Sequence, residues 1–442
     1  MKVVLSKSEY QKKVVLVKDV LPLISSGDHI VSGLAGAEPQ LILSELHKEA
    51  DRLRDVSIIT CLPMGTYEFF GNPQYKDAFT MEGWFYSGAM RKLHANKNIT
   101  FIPNHLHFAA TKRLDFKKPK IYMGNCSPVD EHGFVSLGLS AVYEKEMIAE
   151  ADIVILEVNP NVPRTFGDTL LHYTKVDYFI EADYELPELP ITEPNEKDIK
   201  IGQYIADLIE DGSTIQLGIG GIPNAVAQAL KTKKHLGIHT EMFTDGMVDL
   251  VECGAVDNSM KSIHPEKMVA AFALGSKKLY DFINNNPSVE IKRGTYVNDP
   301  YVIGQNYKMV SINTSVEVDL TGQCCSESVG TRQISGTGGQ ADTAIGAQNS
   351  KGGKSFIALY STAVVKDPVT GEKIEKSKIV PMLTPGAIVS LSRNDVDYVV
   401  TEYGAVTLRG TSVRERVKRL ISIAHPMFRE ELQREADALM IW

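Results

Sequence analysis

Three stretches of this sequence carry residue types suited to chemistry. The first is Glu241, which closes the run His239-Thr240-Glu241. The apolar segment 236–240 before it reads as a short strand, and 247–253 after it as a helix. A carboxylate at a strand's carboxyl end has several possible uses: base, metal ligand, nucleophile, or an acidic residue ahead of a helix that the macrodipole favours. No His/Asp/Glu set with metal spacing accompanies it, so the metal role is the weakest of these. The second stretch is Gln216-Leu217-Gly218-Ile219-Gly220-Gly221, a glycine-rich turn from a strand over Thr214–Leu217 into a helix over 222–230 that starts near Pro223. It lacks the third glycine of a dinucleotide fingerprint and the Lys-Ser/Thr of a P-loop. It offers bare N–H groups at a helix start, which suit an anion, a phosphate-bearing ligand or an oxyanion. A tight connection with no ligand is the alternative. The third stretch is Ser335-Gly336-Thr337-Gly338-Gly339-Gln340-Ala341-Asp342. It reads either as a loop donating N–H groups to a developing oxyanion or as a flexible surface loop.

Weaker candidates surround these. His239 shares a strand face with Glu241, but a strand histidine is more often packed than catalytic. Glu402 and Tyr403 end a strand, yet Glu157 mirrors Glu402 elsewhere in the chain, which favours a structural role. Lys351, Lys354, Arg409, Arg414 and Arg416 could meet phosphates or simply face water.

The elements that position these residues occur twice. Gly27 to Gly36 lies over Gly212 to Gly221, and Ile58-Ile59-Thr60-Cys61 over Ile238-His239-Thr240-Glu241. Asn125 to Gly133 loosely matches Asn313 to Gly322. Ala151 to Glu157 matches Val396 to Glu402. Four matches in one order point to two α/β halves of one fold. Cys61 stands where Glu241 stands, so the fold does not itself require the carboxylate. The second half carries an insertion between Gly322 and Gly386. It holds the second glycine cluster and a hairpin-like piece of 356–365, a turn at 367–371, and 378–382. The acidic, proline-rich segment around 186–196 reads as a linker between domains 1–185 and 197–442.

Strands are expected at 30–32, 56–61, 120–123, Ile153–Val158, Thr214–Leu217, 268–272, 309–312, 388–390 and Tyr398–Thr401, alternating with helical patterns. Continuous apolar runs of this length suit parallel strands covered on both faces. The fold class is therefore α/β, with two duplicated open domains and an active-site cleft expected between them.

Composition excludes several classes. The 442 residues are 43% hydrophobic and 23% charged, with a formal net charge of -8, so a nucleic-acid partner has no bulk electrostatic support. The opening residues lack a leader's apolar region and cleavage site. No apolar run approaches the roughly 18 residues of a membrane span. The five cysteines are scattered, which fits neither a disulfide framework nor a zinc site. These features lead to the expectation of a soluble cytoplasmic protein with no membrane partner.

The chain resembles the acetyl-CoA hydrolase/transferase family, most closely its 4-hydroxybutyrate and butyrate CoA-transferase branch. Nearly the whole length carries the resemblance. Its motifs are Q-L-G-I-G-G-I-P-N-A-V (216–226), K-K-H-L-G-I-H-T-E-M-F-T-D-G-M-V-D-L (233–250), I-S-G-T-G-G-Q-A-D (334–342), S-R-N-D-V-D-Y-V-V-T-E-Y-G (392–404) and I-A-H-P (423–426). The resemblance implies two α/β CoA-transferase-like domains, with coenzyme A bound chiefly by the second. It implies Glu241 as nucleophile, a CoA-binding loop of Gln216, Leu217, Gly218, Ile219 and Gly220, and oxyanion-side glycines Gly336, Gly338 and Gly339. It also implies acyl-CoA and a short-chain carboxylate as substrates, no tightly bound cofactor, no metal, and a homo-oligomer, expected to be a dimer. Transfer through a glutamyl-CoA thioester would give ping-pong kinetics. An acyl-CoA hydrolase on the same scaffold and a non-catalytic CoA-binding regulator are the alternatives. Some branch members carry a histidine in the first-half loop, which here is Gly33-Leu34-Ala35-Gly36-Ala37-Glu38-Pro39. The acid is thereby left open between butyrate and a hydroxy acid, with His105 and His107 as other sources of polarity.

Overall fold

The computed structural model describes residues 7–366 and 370–441. The expected turn residues Asp367, Pro368 and Val369, and the opening residues 1–6, lie outside them. In chain order the main strands are β1 (His29–Ser32), β2 (Val56–Thr60), β3 (Phe79–Gly83), β4 (Ile99–Phe101), β5 (Ile121–Cys126), β6 (Ile153–Val158) and β7 (Tyr178–Glu181). They continue with β8 (Thr214–Leu217), β9 (Gly237–Phe243), β10 (Met268–Ala273), β11 (Val289–Ile291), β12 (Met309–Thr314), β13 (Lys354–Ala358), β14 (Tyr398–Thr401) and β15 (Gly404–Thr407). The helices used below are α1 (Glu196–Asp207), α2 (Gly221–Ala229), α3 (Asp245–Glu252) and α4 (Gln340–Asn349).

The chain forms two compact units. The first comprises Met1–Pro190, Glu241–Asp245 and Lys267–Asn298; the second comprises Ile191–Thr240, Gly246–Glu266 and Asp299–Trp442. This division differs from boundaries at 185 and 197, because Glu241 and the β10–β11 region group with the N-terminal unit. Burial explains the difference. Met242, Val269, Ala271, Phe272, Leu274 and Val297 share a core cluster with Val31, Leu34, Ile59 and Cys61. The 186–196 segment is also less free than a linker. Leu186 is buried, Leu189 N–H donates to Gly275 O, and Tyr280 O–H donates to Pro187 O.

The first unit holds a seven-stranded parallel sheet of order β7-β6-β5-β1-β2-β3-β4. Side chains alternate across it, so each strand feeds two cores. Ile30, Ile58, Ile121 and Ile155 enter one cluster, while Val31, Ile59, Tyr122 and Leu156 enter the other. Burial on both faces explains why these strands read as unbroken apolar runs. The same unit contains the parallel pair β10–β11.

In the second unit the order is β15-β14-β13-β12-β8-β9, parallel except for the β14–β15 hairpin. Five neighbours match the first sheet, with β7, β6, β5, β1 and β2 answering to β14, β13, β12, β8 and β9. Register agrees as well. Ile30 pairs with Ile58, and Ile215 pairs with Ile238, the residues matched in sequence. Cys61 and Glu241 are thus equivalent positions in two copies of one fold.

Several expectations are corrected. The last sequence match slips by one strand, since β6 answers to β13 and not to β14; Glu157 is therefore not the counterpart of Glu402. Residues 356–358 belong to β13 in the middle of the sheet. The hairpin of the insertion is Thr362–Lys366 with Lys373–Ser377. No strand forms at 388–390, where the chain is irregular and bends at Ser390. β9 runs on through Phe243, so Glu241 lies within the strand and not after it.

Candidate active site

Glu241 is the one residue of β9 that is not buried. The strand's register places its side chain on the face of His239 and opposite Met242, which is in the first unit's core. Asn298 holds the carboxylate: its Nδ2 donates to Glu241 Oε2 at 2.9 Å. Asn298 is fully buried and follows the short helix Gly294–Val297, whose Gly294 carbonyl accepts its backbone N–H. Among the described residues its Oδ1 has no hydrogen-bond partner, so the amide is committed to Glu241 by its donor end alone. Sequence reasoning passed over Asn298. The only signal near it is the helix break at Asn298-Asp299-Pro300.

Cys61 lies in the field of Glu241. Burial pushes its thiol well above the ordinary range, and the Glu241 and Glu144 carboxylates push it the same way. It stays a neutral thiol. The loop Gly33 to Pro39 shares the core of Met242 through Leu34 and Ala35. Two buried carboxylates shape this loop. Glu144 accepts the Leu34 and Tyr143 N–H groups at 3.1 and 3.0 Å. Glu38 accepts from Met64 N–H, Gly65 N–H and Tyr67 O–H at 3.2, 2.8 and 2.8 Å, and so fixes the loop after Cys61. Burial raises the Glu38 carboxyl to about 7 against the pull of those hydrogen bonds. Partly buried Leu62 and Met64 pack against the same core as Met242. His105 is exposed and His107 half-buried, in and beside a turn that packs against the Gly294–Val297 helix.

The glycine stretches belong to the second unit. Gln216 and Leu217 are buried, and Gln216 Oε1 accepts the Ile312 N–H at 3.1 Å, so the first two residues of the expected CoA loop are scaffold. Gly218 and Gly220 are half-buried, and Ile219 between them is 46% exposed. Gly220 needs its glycine, with φ at 105°. Gly221 opens α2 against Asp198, where an added Cβ would lie 2.3 Å from Oδ2. Pro223 sits third in α2, not first.

The second glycine cluster is not a loose surface loop. Gly336, Gly338 and Gly339 are buried, and Gly338 has φ of 52°. The buried Glu327 organises it, accepting from Thr337 Oγ1 at 3.3 Å and from Ser390 Oγ at 3.0 Å. Gln340 Nε2 donates to Thr314 O, at the end of β12, at 3.1 Å. β8 and β12 pair directly, Leu217 opposite Ile312. Both glycine stretches therefore adjoin the carboxyl ends of neighbouring parallel strands, where α/β sheets bind ligands.

Several of the weaker candidates have structural partners. Glu402 is buried and accepts from Ser361 N–H and Oγ, both at 2.8 Å, while pairing with Lys197 at 3.2 Å. Burial would raise its carboxyl, but these partners bring it below the usual range. Glu157 accepts from Ile42 N–H and Tyr184 O–H, both at 2.7 Å. Lys354 binds Leu208 O, Arg409 binds Asp397, and Arg416 binds Thr321 O. Among the described residues no three His, Cys, Asp or Glu side chains gather as a metal site, and no helix is long and apolar enough to cross a membrane.

Comparison with known proteins now bears on this geometry. The acetyl-CoA hydrolase/transferase N-terminal domain matches residues 1–193, and the C-terminal domain of the same family matches 275–436. The chain belongs to the acetyl-CoA hydrolase/transferase family. It is 42% identical to a 4-hydroxybutyrate coenzyme A transferase of Clostridium kluyveri, over 96% of this chain and 97% of the relative. It is 43% identical to a succinyl-CoA:cyclohexane-1-carboxylate CoA transferase of Geobacter metallireducens, over 97% and 96%. The crystal structure of a 4-hydroxybutyrate CoA-transferase from Porphyromonas gingivalis superposes with a TM-score of 0.79 at 35% identity, covering 98% and 99% of the two chains. Relatives named acetyl-CoA hydrolase are more distant, at 27% and 28% identity.

Proposed function

We propose that this protein transfers coenzyme A between an acyl-CoA, such as acetyl-CoA, and a short-chain carboxylate, with Glu241 as covalent nucleophile. One observation carries the reading: Glu241 is the half-buried carboxylate of an otherwise buried strand, and a fully buried amide, Asn298, orients it. A carboxylate serving only as a helix-capping charge needs no such partner.

The steps follow from the group. Glu241 attacks the thioester carbonyl, the C–S bond breaks, and a mixed anhydride forms with CoA thiolate released. The thiolate attacks the glutamyl carbonyl and expels the first acid, leaving a glutamyl-CoA thioester. The acceptor carboxylate displaces the thiolate to give a second anhydride. Thiolate attack on its acyl carbon then yields the new acyl-CoA and restores Glu241. Asn298 Nδ2 stands where charge grows on the glutamyl oxygen, and one such donor is worth about 3 kcal/mol. Gly218 to Gly220 would approach the CoA, and Gly336, Gly338 and Gly339 would supply further N–H donors. The acid we take to be butyrate or 4-hydroxybutyrate, after the similar transferases of those names.

Hydrolysis is the second reading, because relatives of that name share the scaffold. The test is to incubate the enzyme with acetyl-CoA alone, reduce with borohydride, and map the product by mass spectrometry. A reduced side chain at Glu241, with CoA turnover that depends on added butyrate, is the expected result. Rapid CoA release without any acid would replace transfer by hydrolysis.

A further inference from the structure

Lys378 is a second group of the second unit that the proposed reaction does not use. Its backbone is pinned on both sides: its N–H donates to Ser361 O, and its carbonyl accepts from Val318 N–H. The side chain is half-buried, and the amine makes a long hydrogen bond of 3.4 Å to Ser315 O. It also lies 5.8 Å from the centre of the Tyr360 ring. Ser315 follows the last residue of β12, and Tyr360 lies just beyond β13. The amine therefore sits at the carboxyl-end rim of the sheet, one residue from the Thr314 carbonyl that Gln340 binds.

Tyr360 extends the connection to the glycine turn. Its O–H donates to Asp198 Oδ1 at 2.7 Å, and Asp198 Oδ2 packs against Gly221. The charges facing Lys378 come from three elements. Glu402 follows β14, Glu317 lies on the strand Glu317–Asp319, and Lys197 on α1 approaches the same Tyr360 ring at 5.7 Å. Burial lowers the Lys378 amine to about 8; Glu402 and Glu317 oppose the shift and Lys197 adds to it. A lysine at that value has roughly a hundredfold more neutral amine at neutral pH than an exposed one. Desolvated lysines of this kind are nucleophiles.

We propose that Lys378 is a self-acylation site, taking the acyl group directly from an acyl-CoA held at the carboxyl-end rim of the second unit. The Nζ lone pair attacks the thioester carbonyl, a C–N bond forms, and the C–S bond breaks. CoA leaves as thiolate and takes up the proton that the amine loses, giving an amide and free CoA. The product has no charge, so it surrenders its attraction to Glu402 and Glu317. The modification thus reports the acyl-CoA load of the enzyme. The inference rests on the reading that acyl-CoA binds at this rim.

The experiment uses the full chain with butyryl-CoA at pH 8, followed by proteolysis and quantitative mass spectrometry. Lys378 should gain a butyryl group at least ten times faster than the exposed Lys12, with a rate that rises through pH 8 and levels above it. Excess free CoA should suppress labelling at Lys378 and leave Lys12 unchanged. Lys378→Arg should lose the label at that peptide alone. Glu241→Ala should keep it, because the acyl group need not pass through Glu241. Labelling no faster than at Lys12, indifference to CoA, or loss of the label in Glu241→Ala would each overturn the proposal. The exchange activity of Glu241→Ala, measured in parallel, tests the nucleophile separately.

Discussion

The Asn298 Nδ2 atom lies 2.9 Å from Glu241 Oε2, and it reaches that carboxylate from a fully buried position. Buried amides are costly unless hydrogen-bonded, so this contact fixes both partners. Asn298→Ala should lower kcat for CoA exchange by about 10² to 10³ while changing the KM for acyl-CoA little, the signature of a donor that works hardest on developing charge. Steady-state kinetics with acetyl-CoA and butyrate measure the split. A rise in KM alone would move Asn298 from orienting Glu241 to holding substrate.

Glu241 itself admits a sharper comparison. Glu241→Ala and Glu241→Gln should both reduce exchange by at least about 10⁴-fold, as expected for loss of a covalent nucleophile. Glu241→Asp should lose at least about 100-fold, because shortening the side chain displaces the attacking oxygen by more than 1 Å. All three should still bind acetyl-CoA by calorimetry. Near-normal exchange in Glu241→Gln would remove the covalent mechanism, since an amide cannot form the anhydride.

The glycine turn separates scaffold from ligand contact. A Cβ at Gly218 would meet only Pro223 Cγ, at 3.8 Å, so Gly218→Ala fits the fold. At Gly221 the same Cβ would strike Asp198. Gly218→Ala should leave the melting temperature within about 2 °C while raising the KM for acyl-CoA, and Gly221→Ala should destabilise by about 1–3 kcal/mol. Unchanged KM in Gly218→Ala would return the turn to a purely structural role.

The buried carboxylates of the first unit make stability depend on pH. Glu38 and Glu157 both rise to about 7, first through burial. Each binds a proton more tightly folded than unfolded, where the carboxyl titrates near 4.5. Their contribution is therefore complete below about pH 4.5 and lost as pH rises through 7. Melting temperatures at pH 5, 6.5 and 8 should fall more steeply for the wild type than for Glu38→Gln, whose amide cannot ionise. Parallel slopes would show that Glu38 is not the titrating group.

Much of this was legible in the chain. Apolar runs marked β6, β8 and β14 to the residue, because strands buried on both faces need unbroken apolar stretches. The repeat was legible too: Ile58 and Ile238 occupy equal registers, as their flanking residues suggested. Glu241 stood out by type, since its counterpart is Cys61.

Other features depended on folding. The 356–358 run looked like part of a hairpin in an insertion, and only pairing with β12 and β14 made it a central strand. Glycine content could not tell a buried, Glu327-pinned cluster from a loose loop. Side-chain polarity alone said nothing of Asn298, which lies 57 residues beyond Glu241. The sequence by itself determined many of the elements, their repetition and the singling out of Glu241 as the candidate carboxylate, because local pattern and chemistry are properties of short segments. Only tertiary structure decided which amide orients that carboxylate and which neighbours hold Glu38 and Lys378 away from their ordinary protonation. Those outcomes depend on burial and on contacts between residues far apart in the chain.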